Sequence, residues 1–324
     1  MTINTIKRLA GRFDAICRKI GSESILLALT CWSTAEAEPC VSLHLKGQLG
    51  NQMFQIATAY AHAKRVGYEF TAPDLTRQKH NNIPENRRRI FAHVPCWPCA
   101  ENGICCEQQD FRYNPLPAWP DMVLDGYFQS ERYFSDYREE ILELFAFKAG
   151  HWESLLKQYP ELSHPCTVGV QVRIPYHPTL DNPGFHQLFG RDYFEQAFRT
   201  LPQDALYVVV SNHVGAAKNL LRGLDLNFLF LSRTDRFDDL LILSKCDHIV
   251  SSNSSFGWWG AWLGDRPGRR CIFPMPWLVH LPHREDVPDL LPDRWETIDC
   301  PEALIKWNPA EGCSLDEPAD GLFK

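Results

Sequence analysis

No stretch of this chain is long and apolar enough to cross a bilayer as a helix: the apolar run at 25–32 falls short of the about 20 residues needed, and nothing later approaches that length. Basic charge is also scarce. Lys and Arg number 33 against 40 Asp and Glu, a net charge of −7, which gives no general attraction to nucleic acid and makes a basic-groove binder a poor reading. Internal repeats, heptads and low-complexity tracts are missing, so solenoids and coiled coils drop out. The 12 cysteines lie mostly singly, unlike a disulfide-stapled miniprotein. Cys96, Cys99, Cys105 and Cys106 are the one cluster, but it lacks a second well-spaced pair, and the adjacency of Cys105 and Cys106 suits one tetrahedral metal site badly. Local disulfides or free thiols fit it better.

What is present is a globular chain of 324 residues, 44% hydrophobic, long enough for two domains of about 150 residues each. Residues 1–39 stand apart. Lys7, Arg8, Arg12, Arg18 and Lys19 precede the apolar run, and small residues around Ala35 and Ala37 follow it, the order of a signal peptide; an amphipathic or disordered leader is the other reading.

The stretch 237–263, FDDLLILSKCDHIVSSNSSFGWWGAWL, reads as helix, strand, loop and helix. Phe237, Leu240, Leu241 and Ser244 recur at helical spacing, and 248–252 is a short run suited to a buried parallel strand. Asn253, Ser254 and Ser255 then sit at the strand's carboxyl end, where open α/β sheets bind ligands and where a helix start offers N–H groups to an anion. Ser254 and Ser255 acting merely as helix caps is the competing reading. In the last helix Gly257, Gly260, Ala261 and Gly264 make a small face for close packing, against the sheet or a ligand, while Trp258 and Trp262 share another.

An earlier strand at 41–45 runs into KGQLGNQ, a glycine turn, and then a helix with Met53, Ile56, Ala57, Tyr60 and Ala61 on one face and Gly67 as its stop. Such a turn lets a ligand approach backbone N–H groups. Residues 73–120 show no sustained period and read as long loops and short strands, a place for acceptor recognition. A helix is expected at 136–147. Strands near 168–173, 206–211, 228–231, 248–252 and 271–273 alternate with helices near 191–200, 215–222, 238–245 and 256–263, the pattern of a doubly wound parallel sheet. The expectation is an α/β chain of two Rossmann-like domains facing a cleft, at 40–160 and 161–306, with an acidic tail at 307–324.

The segments KGQLGNQMFQIA, DGYFQSERYF, VQVR, FHQLFGRDYF and DDLLILSKCDHIVSSNSSFGWWGAWL resemble, in order and spacing, the motifs of the inverting α-1,2-fucosyltransferases, glycosyltransferase family 11. That resemblance implies a GT-B fold, GDP-β-L-fucose as donor, and metal-independent transfer of fucose with inversion to a glycan acceptor, typically O2 of a terminal β-galactoside. It also implies a membrane-associated enzyme, Golgi-type or bacterial peripheral; cytoplasmic members exist as well. The chain agrees in having no clear Asp-x-Asp loop for Mg²⁺ on a diphosphate.

By the same resemblance, Arg173 clamps the β-phosphate with its fork, and Asn253, Ser254, Ser255 and Phe256 hold the diphosphate from the other side. Asp239 accepts from guanine or ribose, and Gly50 and Asn51 reach fucose or phosphate from the first domain. Where the family usually has His-Val-Arg-Arg-Gly-Asp-Tyr, this chain has Gln171, Val172, Arg173, Ile174, Pro175, Tyr176 and His177. The aspartate that could serve as base is gone; His177, Asp181 and His186 are the nearby candidates, and His186 matches a family histidine. Ser211-Asn212-His213 replaces the usual Ser-Asp-Asp. A catalytically weakened GDP-sugar-binding protein, or a transferase with another acceptor, are the alternatives those departures raise.

Overall fold

The computed structural model describes residues 38–98, 103–174, 188–278, 286–300 and 304–305. In chain order the elements are β1 (Cys40–Leu43), α1 (Leu49–Val66), β2 (Glu69–Phe70), α2 (Asp74–Arg77), α3 (Ile83–Arg89), β3 (Ile104–Glu107), β4 (Met122–Asp125), α4 (Arg138–Leu144) and α5 (His151–Gln158). There follow β5 (Thr167–Val172), β6 (Leu188–Phe189), α6 (Arg191–Phe198), β7 (Leu206–Ser211), α7 (Val214–Leu220), β8 (Asn227–Phe230), α8 (Arg236–Lys245), β9 (His248–Ser251), α9 (Ser255–Leu263), β10 (Cys271–Met275), β11 (Glu296–Asp299) and β12 (Leu304–Ile305).

Two parallel sheets result. The first has four strands in the order β2-β1-β4-β3, and the second six in the order β11-β10-β9-β5-β7-β8; β6 and β12 form a small antiparallel pair. Renumbered along the chain, the six-stranded order is the Rossmann order, with its reversal point between β5 and β9. Every strand pair in both larger sheets is parallel, so helices must cover both faces and the strands read as nearly continuous apolar runs. In β7 the alternation is visible: Leu206, Val208 and Val210 enter one core and Tyr207 and Val209 the other.

The first of these cores is shared by the two larger sheets. Trp258, Trp259 and Trp262 of α9, none more than 1% exposed, pack with Phe54 of α1, Phe134 and Phe145. Burial of an indole strands its N–H unless an acceptor is found, and each finds one. Trp258 Nε1 donates to Leu290 O at 2.8 Å, Trp259 Nε1 to Gly50 O at 3.0 Å and Trp262 Nε1 to Glu131 Oε2 at 3.0 Å. Glu131, from the SERYF segment, is held in turn by Arg294, which also donates to Asp265.

The small face of α9 packs on protein. A Cβ on Gly257 would meet Ser251 Oγ at 1.9 Å, one on Gly260 would meet Leu243 Cβ at 2.7 Å, and one on Gly264 would meet Ser244 O at 1.9 Å. Buried Arg269 closes the same helix pair from behind, donating to Ala261 O at 3.0 Å and Leu243 O at 2.5 Å.

Several elements differ from expectation. Residues 73–120 hold two short helices, α2 and α3, besides the edge strand β3, and α5 falls in a span that shows no helical signal because only Leu155 of it is fully buried. The expected helix at 136–147 is shorter, Arg138–Leu144, with a 3-10 turn before it. Among the described residues Cys96, Cys105 and Cys106 are free thiols and no cluster of metal-ligating side chains occurs; Cys99 lies outside them. No described helix is long and apolar enough to cross a membrane.

Candidate active site

The site grows from the carboxyl ends of β5 and β9, the two strands that flank the reversal point. Strand pairing aligns Gln171 with Ser251. Just beyond, Ser252 ties the two loops together: its N–H donates to Gln171 O at 2.9 Å, and its Oγ accepts from the Arg173 N–H at 3.0 Å. Below this, Ser251 Oγ donates to Gln171 Oε1 at 3.1 Å, so the glutamine that replaces the family's histidine is buried and pinned. Asn212, at the end of β7, clamps the next residue from both sides. Its Oδ1 accepts from Ile174 N–H at 2.9 Å and its Nδ2 donates to Ile174 O at 2.8 Å. Arg173 therefore leaves a backbone fixed on two sides, with its side chain partly buried.

After β9 the chain turns sharply into α9. Asn253 is buried and donates to Trp277 O at 2.8 Å, which spends its amide on shaping the loop. Ser254 is the N-cap residue with extended backbone, φ −136° and ψ 126°, yet its side chain makes no capping hydrogen bond. The reading of Ser254 as a mere cap loses its footing, and the first-turn N–H groups of Ser255, Phe256 and Gly257 keep their donor capacity.

A second helix start lies against the first. A Cβ on Gly50 would meet Ser255 C and Oγ at 2.6 Å and Phe256 N at 2.7 Å, so the opening turns of α1 and α9 are in van der Waals contact. Gly50 is small because of that contact. Like α9, α1 has neither a side-chain cap nor an acidic residue in its first turn. Each helix start carries roughly half a positive charge, and two uncompensated ones side by side can attract an anion. Since each helix leaves the carboxyl end of its own sheet, these ends of the two sheets meet here.

The turn before α1 is braced from inside. Gly47 has φ +70°, a left-handed conformation, and a Cβ there would meet Asn51 Nδ2 at 2.4 Å. Gln52 Nε2 donates to Gly47 O at 2.8 Å, and Gln55 closes a pair of bonds with the backbone of Lys46. Asn51 Oδ1 accepts from Gln129 Nε2 at 2.8 Å. Gln129 lies within DGYFQSERYF, but its role is not legible there, since it opens a polar run, Gln-Ser-Glu-Arg, with nothing to single it out.

Asp239 sits in α8, which starts beyond the carboxyl end of β8. Asp235 caps this helix, accepting from Phe237 N–H at 2.8 Å and Asp238 N–H at 2.9 Å. Asp239 accepts from Thr234 Oγ1 at 2.7 Å. Burial pushes its carboxyl up to about 7, Thr234 opposing and the charges of Asp238 and Asp235 adding to the rise.

Thus Gly50, Asn253, Ser254, Ser255, Phe256 and the Arg173 backbone come together, Asn51 adjoins them, and Asp239 stands on the next helix of the same sheet end. His177, Asp181 and His186 lie outside the described residues.

A model of glycosyl transferase family 11 matches residues 18–274. The chain belongs to that family. Among family relatives, an Escherichia coli alpha-1,2-colitosyltransferase is 24% identical over 294 residues, 80% of this chain and 99% of the relative. A galactoside alpha-(1,2)-fucosyltransferase 2 of Oryctolagus cuniculus is 28% identical over 242 residues, and the match spans 68% of this chain and 66% of the rabbit protein. Among solved structures, an Arabidopsis thaliana FUT1 mutant in complex with GDP is 15% identical with a TM-score of 0.49, covering 78% of this chain and 74% of that one.

Proposed function

We propose that this glycosyltransferase moves L-fucose from GDP-β-L-fucose to a sugar hydroxyl, O2 of a terminal β-galactoside, with inversion and without a metal. The observation that carries this reading is the pair of uncapped helix starts meeting at the reversal point of the six-stranded sheet. A diphosphate fits such a place: its charge would be met by the N–H groups of Ser255 and Phe256, by the hydroxyls of Ser254 and Ser255, and by the Arg173 fork. Asn253 shapes this loop and Asn51 borders it from the first sheet. Asp239 would accept from guanine or ribose. His177 and His186 belong, in this reading, to the acceptor side.

Leaving-group stabilisation is then the main catalytic lever. As the bond between the anomeric carbon and the β-phosphate oxygen lengthens, charge gathers on GDP, and donors already in place strengthen without reorganising. The colitosyltransferase, matched over nearly its whole length, supports a second reading in which the transferred sugar is colitose rather than fucose.

The deciding experiment is calorimetry of the full chain with GDP and GDP-fucose in chelator, alongside GDP release with and without lactose. Binding with lactose-stimulated release supports the first reading. Release only with a colitosyl donor supports the second, and binding without release over a broad acceptor panel points to a nucleotide-sugar binder. No binding by folded protein would refute the site.

A further inference from the structure

The segment 171–177 supplies no carboxylate to take the acceptor's proton, and the structure offers an imidazole on the facing sheet. His44 directly follows β1, its N–H donating to Leu124 O at 2.9 Å, so it stands at the carboxyl end of the first sheet, three residues before Gly47. Its side chain is 55% exposed, and its Nδ1 lies 3.9 Å from Asp74 Oδ2.

Asp74 is 8% exposed and anchored. The same Oδ2 accepts from Leu45 N–H at 2.8 Å and from Gln78 Nε2 at 2.5 Å. A carboxylate fixed by two donors thus lies at ion-pair distance from a half-exposed imidazole, a juxtaposition of base and anion at the mouth of the glycine turn that proton transfer can use. Gln78 Oε1, next to this carboxylate, is buried with no donor among the described residues. Asp125, which ends β4 beside Glu107 of β3, is already matched by the Lys46 ammonium. Lys46 and Asp125 thus add little net charge near His44, and Asp74 is the anion that faces it.

We propose that His44 is the base that takes the proton from the acceptor hydroxyl, with Asp74 as its positioning residue. The assignment rests on the sugar-transfer reading above. The acceptor oxygen bonds to the anomeric carbon, the bond from that carbon to the β-phosphate oxygen breaks with its electron pair leaving on GDP, and the hydroxyl proton passes to His44 Nε2 and then to water. The 3.9 Å gap to Asp74 is an ion-pair separation, longer than a hydrogen bond.

The test compares His44→Gln with His177→Asn and His186→Asn in the full chain, measuring GDP affinity and the pH profile of kcat for transfer. His44 is exposed, so its replacement leaves folding intact. The expected result is GDP affinity within about twofold of the unaltered protein, kcat lower by about 10²–10⁴-fold, and loss of the acidic limb in His44→Gln only. Asp74→Asn should lower kcat less and keep the limb. An acidic limb that survives in His44→Gln, or one that vanishes in His177→Asn or His186→Asn, overturns the assignment. A protein that binds no GDP refutes the site itself, and the GDP titration separates that failure from this one.

Discussion

Arg173 and Asp239 carry opposite electrostatic demands. In the proposed reading Arg173 faces a diphosphate, more negative than any protein carboxylate, and its planar fork matches two phosphate oxygens at once. Arg173→Ala should lower kcat/KM by about 10²–10³-fold, and Arg173→Lys should recover only part, as measured by steady-state kinetics beside GDP calorimetry. Asp239 must do the reverse, holding charge where burial disfavours it. With its carboxyl at about 7 instead of 3.8, the free protein keeps this proton where the unfolded chain has lost it, so its stability falls as pH rises from 3.8 towards 7. As the proposed acceptor of guanine N–H donors, Asp239 must be ionised. GDP affinity should therefore rise about tenfold from pH 6 to pH 8, and Asp239→Asn should flatten both trends; titration calorimetry and thermal melts across that range check them.

At the scale of elements, the contact between the α1 and α9 openings is the feature on which the site depends. Gly50→Ala would drive a methyl to 2.6 Å from the Ser255 backbone, too near for any rotamer to relieve. The helix starts must part, at a cost of about 1–3 kcal/mol, and donor KM should rise while kcat changes less; melting temperature and donor KM together read this out. Much of this geometry was legible beforehand. The strand at Leu206–Ser211 was set by five buried apolar residues in a row, and α9 by glycines spaced to one face. Other parts left no periodic trace. Of α5 only Leu155 is fully buried, and α3, IPENRRR, buries only Ile83 and Asn86 beneath a basic run. Asn212 and Gln129 act through side-chain bonds to distant chain, and His44 meets Asp74 across 30 positions, a pairing that only the fold creates.

For the whole molecule, the consequence of a shared aromatic core is mechanical. The residues from Cys40 onward form one compact unit, and one hydrophobic cluster takes in Val41 and Leu43 of the first sheet with Val208 and Val210 of the second. Neither sheet can lose its α9 contacts without exposing indoles that the other also covers. Scanning calorimetry of the full chain should show these residues melting in a single transition, with van't Hoff and calorimetric enthalpies agreeing; two resolved transitions for the two sheets would contradict the shared core.

The bond from Trp259 Nε1 to Gly50 O gives the protein an optical handle. This indole is fully buried, one turn from the anion cradle, and its hydrogen bond ends on the residue that touches Ser255. Any ligand that resets the gap between the two helix starts alters the polarity and the quenching partners around this ring. A change in intrinsic emission on donor binding that disappears in Trp259→Phe, set against the other nine tryptophans, reports occupancy of the cradle with no label attached, and each donor analogue can be ranked by the colour and intensity of that light.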